Sequence, residues 1–287
     1  MRNYRLSIVT VCYNDKNMLV KTMESVLNQY NGEFEYIVID GNSKDGTVDV
    51  LKKYVQLFED KNIAFQFYSE KDTGIYNAMN KGIGKVTGEW ILFLNAGDLL
   101  WDENVVSWFK KISIDKEKSI IYGDIVHYSE GYFRYKKAEK IESITYQMPF
   151  SHQAVFMPTE LLKQEQYDEH YRICADYSWF LKMYFQKRNF CYVHKIISIY
   201  DLSGISSTNE KEADSERYMI WDYYNIQYQK KMDINEDSYW KHKLKKIIPY
   251  SIVLHRRKRK YYTQEQGWYS SKKALIDSIK KGRFVDL

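Results

Sequence analysis

The chain has few cysteines and no long apolar run, and each shortage removes a class of protein. Cys12, Cys174 and Cys191 are the only cysteines, far apart and without paired spacing, so the sequence offers neither a zinc cluster nor a disulfide framework. The apolar stretch in MRNYRLSIVTVCYND is too short for a signal peptide or a membrane span, and polar residues follow it at once. Both features fit a protein made and kept in a reducing cytoplasm. No internal repeat or low-complexity segment is visible. The first apolar run is not followed by a glycine-rich basic loop, which counts against a nucleotidyltransferase. A modest net charge of +5 without any nucleic-acid reading motif makes nucleic acid an unexpected partner.

What the chain does have is apolar and aromatic mass: 44% apolar residues, 27 tyrosines and 7 tryptophans in 287 residues. That is ample for a packed core and leaves some aromatic rings to line a groove for sugars or bases. Leu6 to Cys12, Phe34 to Asp40, Ile63 to Ser69 and Trp90 to Leu94 read as buried strands. Helical spacing over Asp15 to Gln29, Asp45 to Phe58 and Ile75 to Gly84 separates them. Strands alternating with helices imply a mainly parallel sheet covered on both faces, with the loops after each strand crowded along one edge. Beyond Asp98 the alternation weakens. Ser119 to Tyr128, Gly131 to Tyr135 and Ser151 to Met157 read as antiparallel strands, and Asp176 to Gln186 as an amphipathic helix. The expected organisation is a donor half over residues 1–100, an acceptor half over 101–205, and a helical, basic extension over 206–287.

Chemistry concentrates at the predicted sheet edge. Gly97-Asp98 follows the fourth strand, where a carboxylate could bridge a divalent cation to a diphosphate, although Asn-Ala-Gly-Asp also suits a plain turn. Asp40 ends the second strand and could accept the imide N–H of uracil or thymine, or a turn amide. Tyr13 could stack on a base or pack in the core, and Asp72 could meet a ribose or cap the helix that follows.

Six islands in order, TVCYND, DGNSKDGT, EKDTGIYNAMNKG, FLNAGD, SHQAVF and ADYSWFLKM, resemble the inverting family 2 glycosyltransferases of the GT-A fold over about residues 4–205. The resemblance implies an α/β GT-A domain that moves a hexose or N-acetylhexosamine from a nucleoside diphosphate sugar, with UDP expected. The acceptor would be a glycan or a lipid-linked glycan of a surface polysaccharide. On this reading Thr10, Tyr13 and Asn14 of the first island contact the donor, as do Asp40 and Ser43 of the second. Asp72, Asn77 and Lys81 of the third, and Asn95 and Ala96 of the fourth, join them. Asp98 holds Mg2+ or Mn2+ as a single carboxylate, because Asn95 and Gly97 stand where the family often has acids. Asp176 is the base that takes the acceptor proton, with Ala175 in place of a common preceding acid, and a helix cap is the competing role. His152 and Gln153 bind substrate, while Asp168, Glu169 and His152 are the reserve candidates for the base.

Lys241 to Lys260 carries two basic clusters around an apolar centre, a pattern suited to peripheral contact with an anionic membrane face or to a solvated helix. Trp221, Tyr223, Tyr224 and Tyr228 are expected to pack on the body or on a second copy, so a homo-oligomer stays open. A non-catalytic nucleotide-sugar or glycan-binding module would keep the base-binding islands without the acceptor-side acid. Asp98 and Asp176 count against it.

Overall fold

The computed structural model describes residues 4–30, 33–112, 119–202, 210–227 and 267–280. Its first half alternates as the sequence dictates: β1 (Leu6–Cys12), α1 (Lys16–Leu27), β2 (Glu35–Asp40), α2 (Thr47–Asp60), β3 (Ala64–Ser69), α3 (Ile75–Ile83) and β4 (Trp90–Phe93). The four strands are parallel in the order β4-β1-β2-β3. β1 is buried along its whole length, and the two-residue period of a strand splits it. Val9 and Val11 join one core with α3, and Leu6, Ile8 and Cys12 join the other with α1 and α2. Gly82 of α3 lets that helix sit close on β1, since a Cβ there would lie 2.7 Å from a methyl of Val9.

The second half extends the sheet. β5 (Leu99–Leu100), α4 (Val105–Lys111), β6 (Ser119–Ser129), β7 (Tyr132–Lys136), β8 (Val155–Pro158), α5 (Thr159–Gln164), α6 (Ala175–Phe185) and β9 (Asn189–Asp201) follow. β8 runs antiparallel to both β4 and β6, pairing Leu92 with Phe156. That register carries the residues before β8 to the carboxyl end of β4. β9, which the sequence pattern does not announce, lies parallel to β6 and pairs Ile199 with Leu99, bringing its own end to the turn after β4.

Two elements differ from expectation. The segment expected to be a strand from Ser151 opens as a single 3-10 turn, His152–Ala154, before β8 begins. A strand would send successive side chains to opposite faces, whereas the turn lets His152 and Gln153 face one cavity. α6 is not amphipathic in effect: Tyr177, Trp179, Phe180, Leu181 and Met183 are all buried.

The extension contributes a helix, Glu210–Tyr223, which buries Ile220 and Trp221 in the α3/α6 core. Tyr224 stacks on Phe185 with ring centroids 4.9 Å apart, but Tyr223 is 76% exposed. The extension is not helical throughout, because Trp268–Tyr269 adds a short strand to β7 ahead of the helix Lys272–Lys280. Tyr228 and the basic segment Lys241 to Lys260 lie outside the described residues.

Candidate active site

The carboxyl ends of β1 and β4, the turn before β8, the start of α6 and the end of β9 enclose a cavity of about 440 Å³. Asp176 stands in its wall, one residue into α6. It is not the cap, because Cys174 occupies that position and makes no side-chain capping bond. Asp176 Oδ1 accepts from the Tyr177 amide at 2.8 Å and from the Tyr76 hydroxyl at 2.9 Å. Oδ2 faces His152 Nδ1 at 3.4 Å. Burial works to raise the Asp176 pKa, but the bonds from His152, the Tyr177 amide and Tyr76 outweigh it and hold the carboxyl below the ordinary range. The group is thus kept ionised, and Oδ2 retains lone pairs for a further proton.

His152 links this carboxylate to the β4 turn. A carboxylate can only accept, so Nδ1 carries the hydrogen, and Nε2 is left to accept from Asn95 Nδ2 at 3.3 Å. Asn95 Oδ1 is buried without a hydrogen-bond partner among the described residues, a polar atom in the cavity wall that a ligand would satisfy.

Asp98 is only 4% exposed and ends the turn that Gly97, at φ 101°, makes possible. Its Oδ2 accepts from Gln153 Nε2 at 3.1 Å and its Oδ1 from the Asp201 amide at 3.2 Å. Burial pushes its pKa up to about 7, against the opposing influence of His152 and the bond from Gln153. Asp15, Asp72, Asp98, Asp176 and Asp201 all line this cavity, with Arg172 as the lone arginine or lysine among the described residues. Oxygen donors in excess of cations suit a hard divalent ion. Among the described residues no group of three or more His, Cys, Asp or Glu side chains could hold a metal. Asp98, with Asp201 beside it, would therefore supply one or two ligands and leave the remaining positions to diphosphate and water.

Not every expected donor residue reaches the cavity. Tyr13 (66% exposed), Asp72, Asn95 and Ala96 line it, as do His152 and Gln153. Thr10 is fully buried, donating to Leu94 O at 2.6 Å and accepting from Tyr36 OH at 3.1 Å, so it ties three strands together. Asn14 and Ser43 brace two loops against each other: the Asn14 amide donates to Ser43 Oγ and the Lys44 amide to Asn14 Oδ1. Asp40 is fully buried behind Gly41, accepting from the Ser43 amide at 3.1 Å and Ser69 Oγ at 2.6 Å. Its Oδ1, with only a 3.4 Å contact from the Ser43 amide, keeps lone pairs, but the side chain is closed off from the cavity. Lys81 pairs with Glu70 at 3.1 Å and with Lys71 O, and lines neither cavity.

Asn77 belongs to a neighbouring recess of about 380 Å³ that shares Gly74, Ile75, Tyr76, Arg172 and Ile173 with the main cavity. There Glu169 is anchored by Asn77 Nδ2 and Asn80 Nδ2, both at 2.9 Å. Asp168 is occupied by His170 and lines neither space. Tyr76, Arg172 and Asp201 are site residues that the sequence reading missed. Tyr76 lies inside a quoted island and could have been singled out, but Arg172 and Asp201 become visible only once β9 and the loop before α6 are placed.

The model of Glycosyl transferase family 2 matches residues 7–188, and the chain belongs to that family. It is a glycosyltransferase. A PGL/p-HBAD biosynthesis glycosyltransferase of Mycobacterium tuberculosis (strain ATCC 25177 / H37Ra) is 28% identical over 206 residues, covering 70% of this chain and 79% of the relative. The putative teichuronic acid biosynthesis glycosyltransferase TuaG of Bacillus subtilis is 27% identical over 171 residues, covering 58% and 66%. In fold the chain is similar to S. aureus TarS 1-349 in complex with UDP-GlcNAc, with TM-score 0.56 and 15% identity over 69% of this chain and 58% of that one. It is also similar to the mannosyltransferase PcManGT of Pyrobaculum calidifontis in complex with GDP-Man and Mn2+, with TM-score 0.58 and 13% identity over 80% and 66%. The GT-A fold expected from the sequence is therefore the fold observed, and the relatives support nucleotide-sugar glycosyl transfer in polysaccharide biosynthesis.

Proposed function

We propose that the chain transfers a hexose or N-acetylhexosamine, with inversion, from a uridine diphosphate sugar to the sugar terminus of a growing surface glycan. The observation that carries this reading is the convergence of Asp176, His152, Asn95 and Asp98 in one cavity, joined by Asp176–His152–Asn95 contacts of 3.4 and 3.3 Å. Asp176 Oδ2 takes the acceptor hydroxyl proton as that oxygen bonds to the anomeric carbon. The bond from that carbon to the phosphate oxygen breaks on the opposite face, and its electron pair leaves with the diphosphate. Carbocation character at the sugar is also stabilised by a carboxylate held ionised beside it. A divalent ion, Mg2+ or Mn2+, held at Asp98 would neutralise charge on the departing diphosphate.

For the base, Tyr13 offers an exposed ring face and Asp72 an acceptor on the same wall, with Asp40 directly behind. Burial raises the Asp72 pKa, opposed by the Gly74 amide. The recess beside Asp176 supports a sugar acceptor, since Glu169 is pre-oriented for hydroxyl groups and Tyr76 and Tyr171 supply ring surface. For a lipid-linked acceptor, the basic residues 241–260 are assigned to an anionic membrane face. Among the described residues no helix is long and apolar enough to cross a membrane.

Purified protein assayed for release of the nucleoside diphosphate, UDP from UDP-glucose, UDP-galactose and UDP-N-acetylglucosamine and GDP from GDP-mannose as the contrast, with or without Mn2+, tests the reading. Turnover confined to GDP-mannose, or undiminished in excess chelator, would overturn the donor or the metal.

A further inference from the structure

The geometry points to Glu216 as a positioning residue for this reaction. Its buried carboxylate, carried by the extension helix Glu210–Tyr223, grips three consecutive backbone amides and so fixes the turn from which Arg172 and Asp176 enter the site. Glu216 Oε1 accepts from the Arg172 amide at 2.7 Å, and Oε2 accepts from Ile173 at 2.9 Å and Cys174 at 2.8 Å. The residue is 8% exposed. A carboxylate that desolvated is stabilised by amide bonds of this kind, and the three amides, which lie ahead of the first turn of α6, gain in it their acceptor. Cys174 Sγ adds a weaker contact to Ala213 O on the same helix.

The consequence reaches both cavities. Ile173 O shares the single Tyr76 hydroxyl hydrogen with Asp176 Oδ1, so the gripped turn fixes one partner of the base as well as the base itself. Arg172, whose amide is gripped, lines the donor cavity and the acceptor recess together. Without Glu216 the three amides would lose the acceptor that holds the turn in place. A displacement of about 1 Å at a reacting group can lower rate by about 100-fold without weakening ground-state binding. The helix Glu210–Tyr223 would thereby help to position the base, and its Glu212 also lines the acceptor recess.

The proposal rests on Asp176 being the base, and the test separates the two claims. Measure kcat and donor KM by UDP release from the three UDP-sugars, with Mn2+, for Glu216→Ala, Glu216→Gln, Ile220→Val and Asp176→Asn. Measure amide hydrogen exchange at Arg172, Ile173 and Cys174 in the same proteins. Glu216→Ala should lower kcat about 10-fold to 100-fold with donor KM within about twofold, and should deprotect the three amides. Glu216→Gln, whose single carbonyl oxygen can still accept from Ile173 and Cys174, should fall in between and lose protection chiefly at Arg172. Ile220→Val loosens the same helix in the core and should lower the melting temperature with kcat unchanged. Wild-type kcat in Glu216→Ala would overturn the assignment. So would equal kcat losses in Ile220→Val and Glu216→Gln at equal loss of melting temperature, and that pair decides the matter if Glu216→Ala does not fold. If Asp176→Asn keeps full transfer while Glu216→Gln still deprotects the amides and slows turnover, the base assignment fails and the grip on the turn stands.

Discussion

His152 Nδ1 lies 3.4 Å from Asp176 Oδ2, on the far side of the imidazole from Asn95, so the acceptor-side carboxylate and the β4 turn share one ring. The contact gives the imidazole a role other than proton removal: it keeps Asp176 ionised and fixes its own tautomer.

Replacing His152 should therefore move a pH profile. The Asp176 pKa is held low against burial largely by His152, and His152→Gln removes that influence. The acid limb of kcat should shift to higher pH, with the plateau reduced about 10-fold or less. An unshifted limb with a normal plateau would show that His152 does not tune the base.

Tyr76→Phe removes the single hydroxyl hydrogen that Asp176 Oδ1 and Ile173 O share, while keeping the ring in the core. A hydrogen bond to a charged group contributes about 1.5–3 kcal/mol, so kcat should fall about 10-fold or more, with nucleotide affinity unchanged. Equal loss of UDP affinity would place Tyr76 on the donor side instead.

Asp98 carries a pH prediction whose sign follows from its raised pKa. A carboxyl that titrates at about 7 in the fold and near 3.8 in the unfolded chain holds its proton in the fold after the unfolded chain has released it. The metal-free protein should lose stability as pH rises across that window, and Asp98→Asn should remove this contribution. Because the ion competes with that proton, Mn2+ affinity should rise about tenfold per pH unit below 7 and level off above it. Melting temperatures and calorimetric titrations between pH 5 and 8, on the scale set by that value, check both. A flat Mn2+ affinity would remove Asp98 from the metal site.

The fold of the first hundred residues was readable because β1, β2 and β4 are continuous apolar runs separated by helical periods, and a period survives in sequence. β9 was not readable, since Asn189–Asp201 is only partly buried, carries His194 and Lys195, and is bulged against β6 at Asp124. With it went Asp201. The island residues Tyr13, Asp72, Asn95, Asp98, His152, Gln153 and Asp176 do meet in one cavity, because each lies at or near the end of an element that the sheet edge gathers. Thr10, Asp40 and Ser43 occupy the same edge but turn into the protein, and exposed Asn14 braces the Ser43 loop from outside. Position along a strand is visible in sequence; the direction a side chain faces is decided by neighbours far along the chain, such as Ser69, 29 residues from Asp40, and Leu94, 84 residues from Thr10. Glu216 is the extreme case, its three amide partners lying 42 to 44 residues earlier.

The central claim is that Asp176 is the base, and Asp176→Asn tests it most directly. Glycosyl transfer, UDP affinity and melting temperature should be measured together on that variant. Transfer should fall by about 100-fold to 10,000-fold with UDP affinity unchanged, because the part of the cavity wall proposed for the nucleotide comes from β1, β4 and the loop before α3. Near-normal transfer accompanied only by a lower melting temperature would contradict it and leave Asp176 a structural residue of α6.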